Sequence, residues 1–201
     1  PSNPVCVSLA SQPRAQPTHC WDLNQFRTAL DIGGHLGTTA LRYCNNFEKV
    51  YSFEPLYYDL LSQNLKDVDN LEIFPFALSN KNQKMEMIRR KENSGLTMLC
   101  TEENKHYLNK NSYRKEKTLI ETRILDDFDL TNLDFIKIDT EGYVLEILKG
   151  MENTLYINNY PLLQIEFNNL NPKTEECFNL LNEMGYEIVD KFHVDHFFLR
   201  K

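Results

Sequence analysis

The segment Asp31-Ile-Gly-Gly-His-Leu-Gly37 constrains this chain more than any other stretch of it. An apolar approach (Ala29, Leu30, Ile32) precedes it and an apolar-periodic stretch (Leu36, Ala40, Leu41, Cys44) follows. That layout predicts a strand, a glycine-rich turn and a helix start. Glycines let such a turn take positive φ and let its backbone come close to a ligand. The free amides of the helix start favour electron-rich ligand groups. The run Lys49-Val-Tyr-Ser-Phe-Glu54 reads as a second strand, ending in an acid seventeen residues after Gly37. A carboxylate at that tip can accept from both hydroxyls of a ribose at once. Together the two segments predict a nucleoside pocket outside the carboxyl ends of parallel strands.

Spacing chooses among nucleosides. A dinucleotide fingerprint requires Gly-x-Gly-x-x-Gly; counted from Gly33, its second and third glycines fall on His35 and Thr38. An NAD-dependent oxidoreductase is disfavoured on that ground. No Gly-x-x-x-x-Gly-Lys-Ser/Thr occurs, so a phosphate-cradling loop is also out. What remains is Asp-x-Gly-x-x-x-Gly with an acid 23 residues after Asp31, a looser form of the pattern that binds the methyl donor S-adenosylmethionine.

The 201 residues suffice for one substantial core and leave little room for a second domain. A content of 41% hydrophobic and 25% charged residues is ordinary for a soluble globular enzyme. No run approaches the roughly 20 apolar residues that span a bilayer. Residues 1–27, with Pro1, Pro4, Pro13 and Pro17 among Ser and Gln, read as a flexible lead-in whose apolar stretches are too short for a signal-peptide core. The start at Pro1, without Met, suggests processing or trimming. Cys6, Cys20, Cys44, Cys100 and Cys177 are odd in number and scattered, which predicts free thiols in a reducing, cytoplasmic setting. The net charge of −7 argues against a general nucleic-acid binder. Residues 89–117 nevertheless hold eight Lys/Arg against four Glu. This basic insertion reads either as a solvated face or as a lid that meets an anionic or sugar-rich substrate.

After residue 28, strand-like and helix-like segments alternate, which predicts an α/β fold with a mainly parallel sheet. Strands are expected at 28–33, 49–54, 71–78, 133–139 and 161–167, with helices after Gly37, Tyr57, Gly142 and before Gly185. Lys84–Ile88 and Leu119–Ile124 alternate in polarity and are expected to pair as a ribbon flanking the basic insertion. The closing runs Tyr186–Phe192 and Asp195–Leu199 are too close in sequence for a helical crossover, so they must form an antiparallel hairpin. A parallel sheet finished by such a hairpin is the Rossmann-like, seven-stranded methyltransferase architecture, here a single domain over 28–201.

The pieces Asp31-Ile-Gly-Gly-His-Leu-Gly37, Phe53-Glu54-Pro55, Ala77-Leu78-Ser79, Thr122-Arg-Ile-Leu-Asp126, Ile136-Lys-Ile-Asp-Thr-Glu-Gly142 and Leu148-Lys-Gly150 run in one order over roughly residues 28–168. In them the chain resembles the FkbM family of S-adenosylmethionine-dependent methyltransferases. The Lys-Ile-Asp-x-Glu-Gly block followed by Leu-Lys-Gly is the specific part. The family's loop usually reads Gly-Ala-Asn where this chain has Gly33-Gly34-His35. The resemblance implies O-methyl transfer, often onto sugars or other small hydroxylated compounds, and leaves the acceptor open. RNA cap 2′-O-methylation is the alternative enzyme reading, although its Lys-Asp-Lys-Glu tetrad is not recognisable. A sugar- or RNA-binding module that kept the fold and lost transfer is the non-enzymatic one.

In that framework Asp31, Gly33, Gly34, His35, Gly37, Glu54, Pro55, Phe76 and Ala77 are the expected donor contacts. Methyl transfer is an in-line displacement, helped by a base near the acceptor's proton. Asp139 is the expected group for orienting or deprotonating the hydroxyl, with Glu141 beside it. Lys137 lies on the face of Asp139 by strand alternation and is expected to pair with an acid. An oxygen-rich metal site of Asp139, Glu141, Glu166 and Asn168 is conceivable, but no metal ligand is assigned. His193 and His196 are expected as exposed turn residues.

Overall fold

The computed structural model describes residues 26–90, 93–101, 115–168 and 173–200, with the side chains of residues 90, 93–96 and 115 outside that description. The expected lead-in therefore lies almost wholly outside the described residues, as does much of the basic insertion.

The strands are β1 (Thr28–Ile32), β2 (Lys49–Phe53), β3 (Leu71–Phe74), β4 (Ala77–Leu78), β5 (Gln83–Arg90), β6 (Asn93–Leu99) and β7 (Lys115–Arg123) in the first half. They are followed by β8 (Leu133–Ile138), β9 (Leu162–Glu166), β10 (Tyr186–Phe192) and β11 (Asp195–Arg200). Seven of them form the main sheet, in the order β10-β11-β9-β8-β1-β2-β3. Its four pairings from β9 to β3 are all parallel, and β11 is antiparallel to both β9 and β10. The expected parallel sheet and closing hairpin are thus present.

Parallel strands are covered on both faces, which is why β1 reads as an almost continuous apolar run and is buried throughout. On one face Ala29, Val50, Phe135, Leu162 and Phe197 pack with Tyr43 of helix α1 (Thr38–Cys44) and with Phe47. The opposite face carries Leu30, Ile32, Phe53, Ile136, Ile138, Leu163 and Ile165 against Val144, Leu145, Ile147 and Leu148. Full burial of each such side chain contributes about 1.5–3 kcal/mol. Helix α2 (Tyr58–Asn64) closes the β2–β3 crossover by placing Leu61 against Ala40 and Leu65.

Two departures from the sequence reading have clear causes. The run Leu71–Leu78 is not one strand: it breaks at Pro75, which lacks an N–H for a ladder. Its first part joins the main sheet and its second, β4, pairs with β7 in a separate four-stranded sheet, β4-β7-β5-β6. The ribbon of β5 and β7 forms as expected, from Gln83↔Thr122 to Arg90↔Lys115. However, the polar, turn-prone residues from Asn93 onward continue as β6, antiparallel to β5. Met98 packs there on Ile88, and Leu99 reaches the main core.

Helix α3 (Val144–Lys149) ends at Gly150 as expected, but a further helix, α4 (Glu152–Ile157), follows at once. Asp126 holds its start: Oδ1 accepts from the Thr154 amide and hydroxyl, each at 2.7 Å, and Oδ2 from the Asn153 amide at 3.2 Å. Helix α5 (Thr174–Glu183) precedes the hairpin. Among the described residues no helix is long and apolar enough to cross a membrane.

Candidate active site

Strand register builds the site. Ile165 pairs with Ile138, Ile138 with Ile32, and Ile32 with Phe53, so four apolar residues lie side by side at the carboxyl edge. The next residue on each strand is then Glu166, Asp139, Gly33 and Glu54, in that order along the edge. All four line one cleft of about 860 Å³, open to solvent at its mouth, with Phe53, Pro55, Tyr57, Ala77 and Leu78 on the Glu54 side and Thr140, Glu141 and Tyr143 near Asp139. Met87, Thr97 and Leu99 of the second sheet roof it.

At Gly33 the chain turns with φ +92°, and a Cβ there would lie 1.9 Å from the Asp139 carbonyl oxygen. Gly33 and Gly34 donate to the Phe53 carbonyl at 3.0 and 3.2 Å, closing the loop onto β2. His35 follows at φ 48°, in the left-handed region that Asn and His tolerate better than most residues, which accounts for His where the resembling family has Asn. Its imidazole meets Tyr57 edge-on at 4.8 Å, and its buried Nε2 has no hydrogen-bond partner within the protein. The Thr140 hydroxyl is in the same condition. Glu54, only 6% exposed, accepts from the amides of Leu56 (2.8 Å) and Tyr57 (3.0 Å) on one oxygen and of His35 (2.9 Å) on the other. Three of roughly four acceptor positions on a carboxylate are filled, leaving one on Oε2.

On the other side of Gly33, Lys137 bridges two carboxylates: Nζ lies 3.1 Å from Asp139 Oδ2 and 3.3 Å from Asp31 Oδ1, all of it buried except part of Asp139. Burial works against the ammonium, but Asp139 and Asp31 outweigh it and raise its pKa. Asp139 meets the opposite balance, since burial would raise its carboxyl and Lys137 holds it below its usual range. For Asp31 burial wins over Lys137 and the pKa is raised. Glu166 is pushed up to about 7, first by burial and then by the Asp139 carboxylate, with Glu141 adding to it. Asn168 Nδ2 joins the acids, donating to Glu141 Oε2 and to Glu166 Oε1 at 2.8 Å each.

Of the expected donor contacts, Gly33, His35, Glu54, Pro55 and Ala77 line the cleft. Four others do not. Asp31 lies beneath it on Lys137, while Gly34 and Gly37 pack onto Ser52, Leu61 and Leu65 with no room for a Cβ. Phe76 sits outside against the Arg123 guanidinium at 4.9 Å. Asp139 and Glu141 line the cleft, and Lys137 is paired as expected. Asp139, Glu141, Glu166 and Asn168 do converge, but among the described residues no three His, Cys, Asp or Glu are arranged to hold a metal ion. His193 is exposed; His196 is instead half-buried on Phe167 and Phe178. The residue that sequence reasoning undervalued is Glu166. Its signal was present in the strand-ending pairs Phe53-Glu54, Ile138-Asp139 and Ile165-Glu166.

Of the basic insertion, the structure describes the side chains of Arg89 and Lys117. Arg89 bonds Glu116 and Tyr57 near the cleft, and Lys117 bonds Glu86 at 2.7 Å. Arg90, Lys91, Lys105, Lys110, Arg114 and Lys115 have side chains outside the described residues.

The model of the methyltransferase FkbM domain matches residues 31–188. Hexuronic acid methyltransferase AglP of Haloferax volcanii is 26% identical over 138 residues, 67% of this chain and 54% of AglP. The chain thus spans about half the length of that curated relative. Among solved structures, a methyltransferase FkbM from Methylobacillus flagellatus superposes with a TM-score of 0.57 at 17% identity, covering 86% of this chain and 43% of the other. A Streptococcus mutans protein in complex with SAH gives 0.51 at 9% identity, covering 87% of each. At those identities the likeness is one of fold.

Proposed function

The chain belongs to the FkbM methyltransferase family, and from that premise we propose that it moves a methyl group from S-adenosylmethionine to a hydroxyl of a saccharide or small hydroxylated metabolite bearing an anionic group. The observation that carries this reading is the row Glu54, Gly33, Asp139, Glu166 along one cleft. The donor suits its Glu54 end. One carboxylate position there is still open for a ribose hydroxyl, Gly33 keeps the floor free of a side chain, and Phe53, Ala77 and Leu78 supply apolar wall. His35, with an unpartnered Nε2, lines the same cleft. When bound, the donor supplies an electrophilic methyl on a sulfonium.

The acceptor belongs over β8 and β9. There Asp139 and Glu141 orient its hydroxyl, and Lys137 holds Asp139 in place. Alignment of the attacking oxygen is the main contribution asked of these groups. The second sheet, with the basic segment 89–117, acts as the lid of a single domain spanning 28–201. Arg89 stands at its rim on Tyr57 and in an exposed pair with Glu116, and exposed pairs of that kind are weak enough to exchange for an anionic substrate group. The curated relative's hexuronic acid substrate agrees with such an acceptor. A reducing, cytoplasmic setting fits the free thiols of Cys44, Cys100 and Cys177.

The test is label transfer from methyl-labelled S-adenosylmethionine to glucuronic acid glycosides, matched neutral glycosides and capped RNA. Label on the uronic acid glycosides above the neutral ones is expected. Label on RNA alone would overturn the saccharide reading in favour of cap methylation.

A further inference from the structure

We propose that Glu166 is the general base of the transfer, taking the acceptor's hydroxyl proton while Asp139 orients that hydroxyl. The inference rests on the hydroxyl-acceptor reading above and adds the group that completes its chemistry.

The ammonium and the amide are divided between the two carboxyls, Lys137 going to Asp139 and Asn168 to Glu166. Asp139 Oδ2 accepts from the Lys137 ammonium at 3.1 Å, a charge-assisted contact that lowers its affinity for a proton. Glu166 is one strand further along the edge and is held by the neutral Asn168 amide at 2.8 Å and by a hydrogen bond with Asp139 itself. Two carboxyls on adjacent strand tips cannot both ionise easily, and the one without the ammonium keeps the proton longer. The groups facing Glu166 are those of every neighbouring element. Asp139 comes from β8, Glu141 from the turn after it and Asp195 from its register partner on β11, while Lys137 and His35 stand on the far side of Asp139 and act on that carboxylate. All three facing groups are acids. Glu166 therefore titrates near neutrality, where a base is most effective, while Asp139 stays ionised as a fixed acceptor.

Position agrees with this division. Glu54 and Glu166 close opposite ends of the row, about three strand spacings or roughly 14 Å apart at ~4.8 Å each. A base at the Glu166 end meets the acceptor and leaves the donor end undisturbed. In the step, the hydroxyl oxygen forms the new O–CH3 bond as the S–CH3 bond breaks, and the electron pair of that bond stays on sulfur as a neutral thioether. The hydroxyl proton goes to the Glu166 carboxylate, which returns it to solvent through the open mouth of the cleft.

The experiment combines three readouts on the whole chain. Transfer to a glucuronic acid glycoside from about pH 5 to 9 is followed for wild type, Glu166→Gln and Asp139→Asn, beside calorimetric binding of S-adenosylhomocysteine. Carbon-13 NMR follows the Glu166 carboxyl, identified by its loss in Glu166→Gln. Wild-type kcat should rise with an apparent pKa of about 7. Glu166→Gln should abolish that limb and lower kcat about 10²–10⁴-fold, with product affinity unchanged. Asp139→Asn should keep the limb and move it to lower pH, together with the NMR midpoint, because a negative neighbour has been removed. A limb kept by Glu166→Gln and lost in Asp139→Asn would give the base to Asp139, and a carboxyl midpoint in the ordinary glutamate range would also overturn the assignment. Failure of wild type both to bind the product and to transfer label would instead remove the reading beneath it.

Discussion

The carboxylate of Glu54 accepts a hydrogen bond from the backbone amide of His35 at 2.9 Å, tying the tip of β2 to the glycine loop after β1. Its other oxygen holds the Leu56 and Tyr57 amides where the chain turns into α2. The acid thus serves both the loop and the cleft. Glu54→Ala is expected to weaken S-adenosylhomocysteine binding by about 1.5–3 kcal/mol, the range for hydrogen bonds to a charged group. It should also lower Tm, since three amides lose their acceptor. Calorimetry and a thermal melt on the same sample check both. A variant with wild-type Tm and wild-type affinity would take Glu54 out of both roles.

Lys137 presents a different case, a cation buried between Asp31 and Asp139. Removing it leaves two acids facing each other in the core. Lys137→Met should destabilise the fold by about 3–5 kcal/mol, the usual cost of breaking a buried pair from one side. Adding Asp31→Asn should recover part of the loss, because one uncompensated charge is then gone. Urea denaturation of the single and double variants measures this, and equal midpoints for wild type and Lys137→Met would contradict it.

Glu166 makes stability depend on pH. Its folded pKa of about 7 lies above the ordinary glutamate value of ~4.3. Between those two values the native state binds more protons than the unfolded one, so unfolding free energy falls as pH rises, and the deficit persists above about 7. Glu166→Gln should therefore match wild type near pH 4 and exceed it in urea midpoint at about pH 8. A difference that is the same at both pH values would argue against the raised carboxyl.

The lid reading predicts salt-sensitive kinetics. From about 20 to 500 mM salt the Debye length falls roughly fivefold, so KM for a glucuronic acid glycoside should rise while that for a neutral glycoside holds. Arg89→Gln should blunt the rise, since Arg89 contacts Tyr57, which lines the cleft. Identical salt profiles for anionic and neutral glycosides would leave residues 89–117 as an ordinary solvated face.

Much of this was legible from residue order. The glycine loop, the strand-tip acid Glu54 and the Lys137–Asp139 alternation depend on local spacing, and all three stand where spacing put them. The motif Ala77-Leu78-Ser79 and the motif ending at Gly150 were readable only as strings. In the fold they touch, for a Cβ on Gly150 would lie 2.1 Å from the Ser79 carbonyl oxygen. Asp126, the last residue of the motif Thr122-Arg-Ile-Leu-Asp126, holds the start of α4. Phe76 was read on a continuous strand, and the break at Pro75 turned it toward Arg123. Strand β6, which folds back on the adjacent β5, was missed because its polar start hides behind turn-prone composition. The value of Glu166 comes from a register relation across β8 and β9, which no single segment contains.

The central claim is that the cleft beside Glu54 and Gly33 holds a methyl donor, and calorimetric titration with S-adenosylhomocysteine, with NAD as the comparison, tests it most directly. Saturable one-to-one binding of S-adenosylhomocysteine, weakened in Glu54→Ala and with no measurable heat from NAD, is the result this account predicts. Binding of NAD in preference to S-adenosylhomocysteine, or no heat from either with the folded protein, would contradict it.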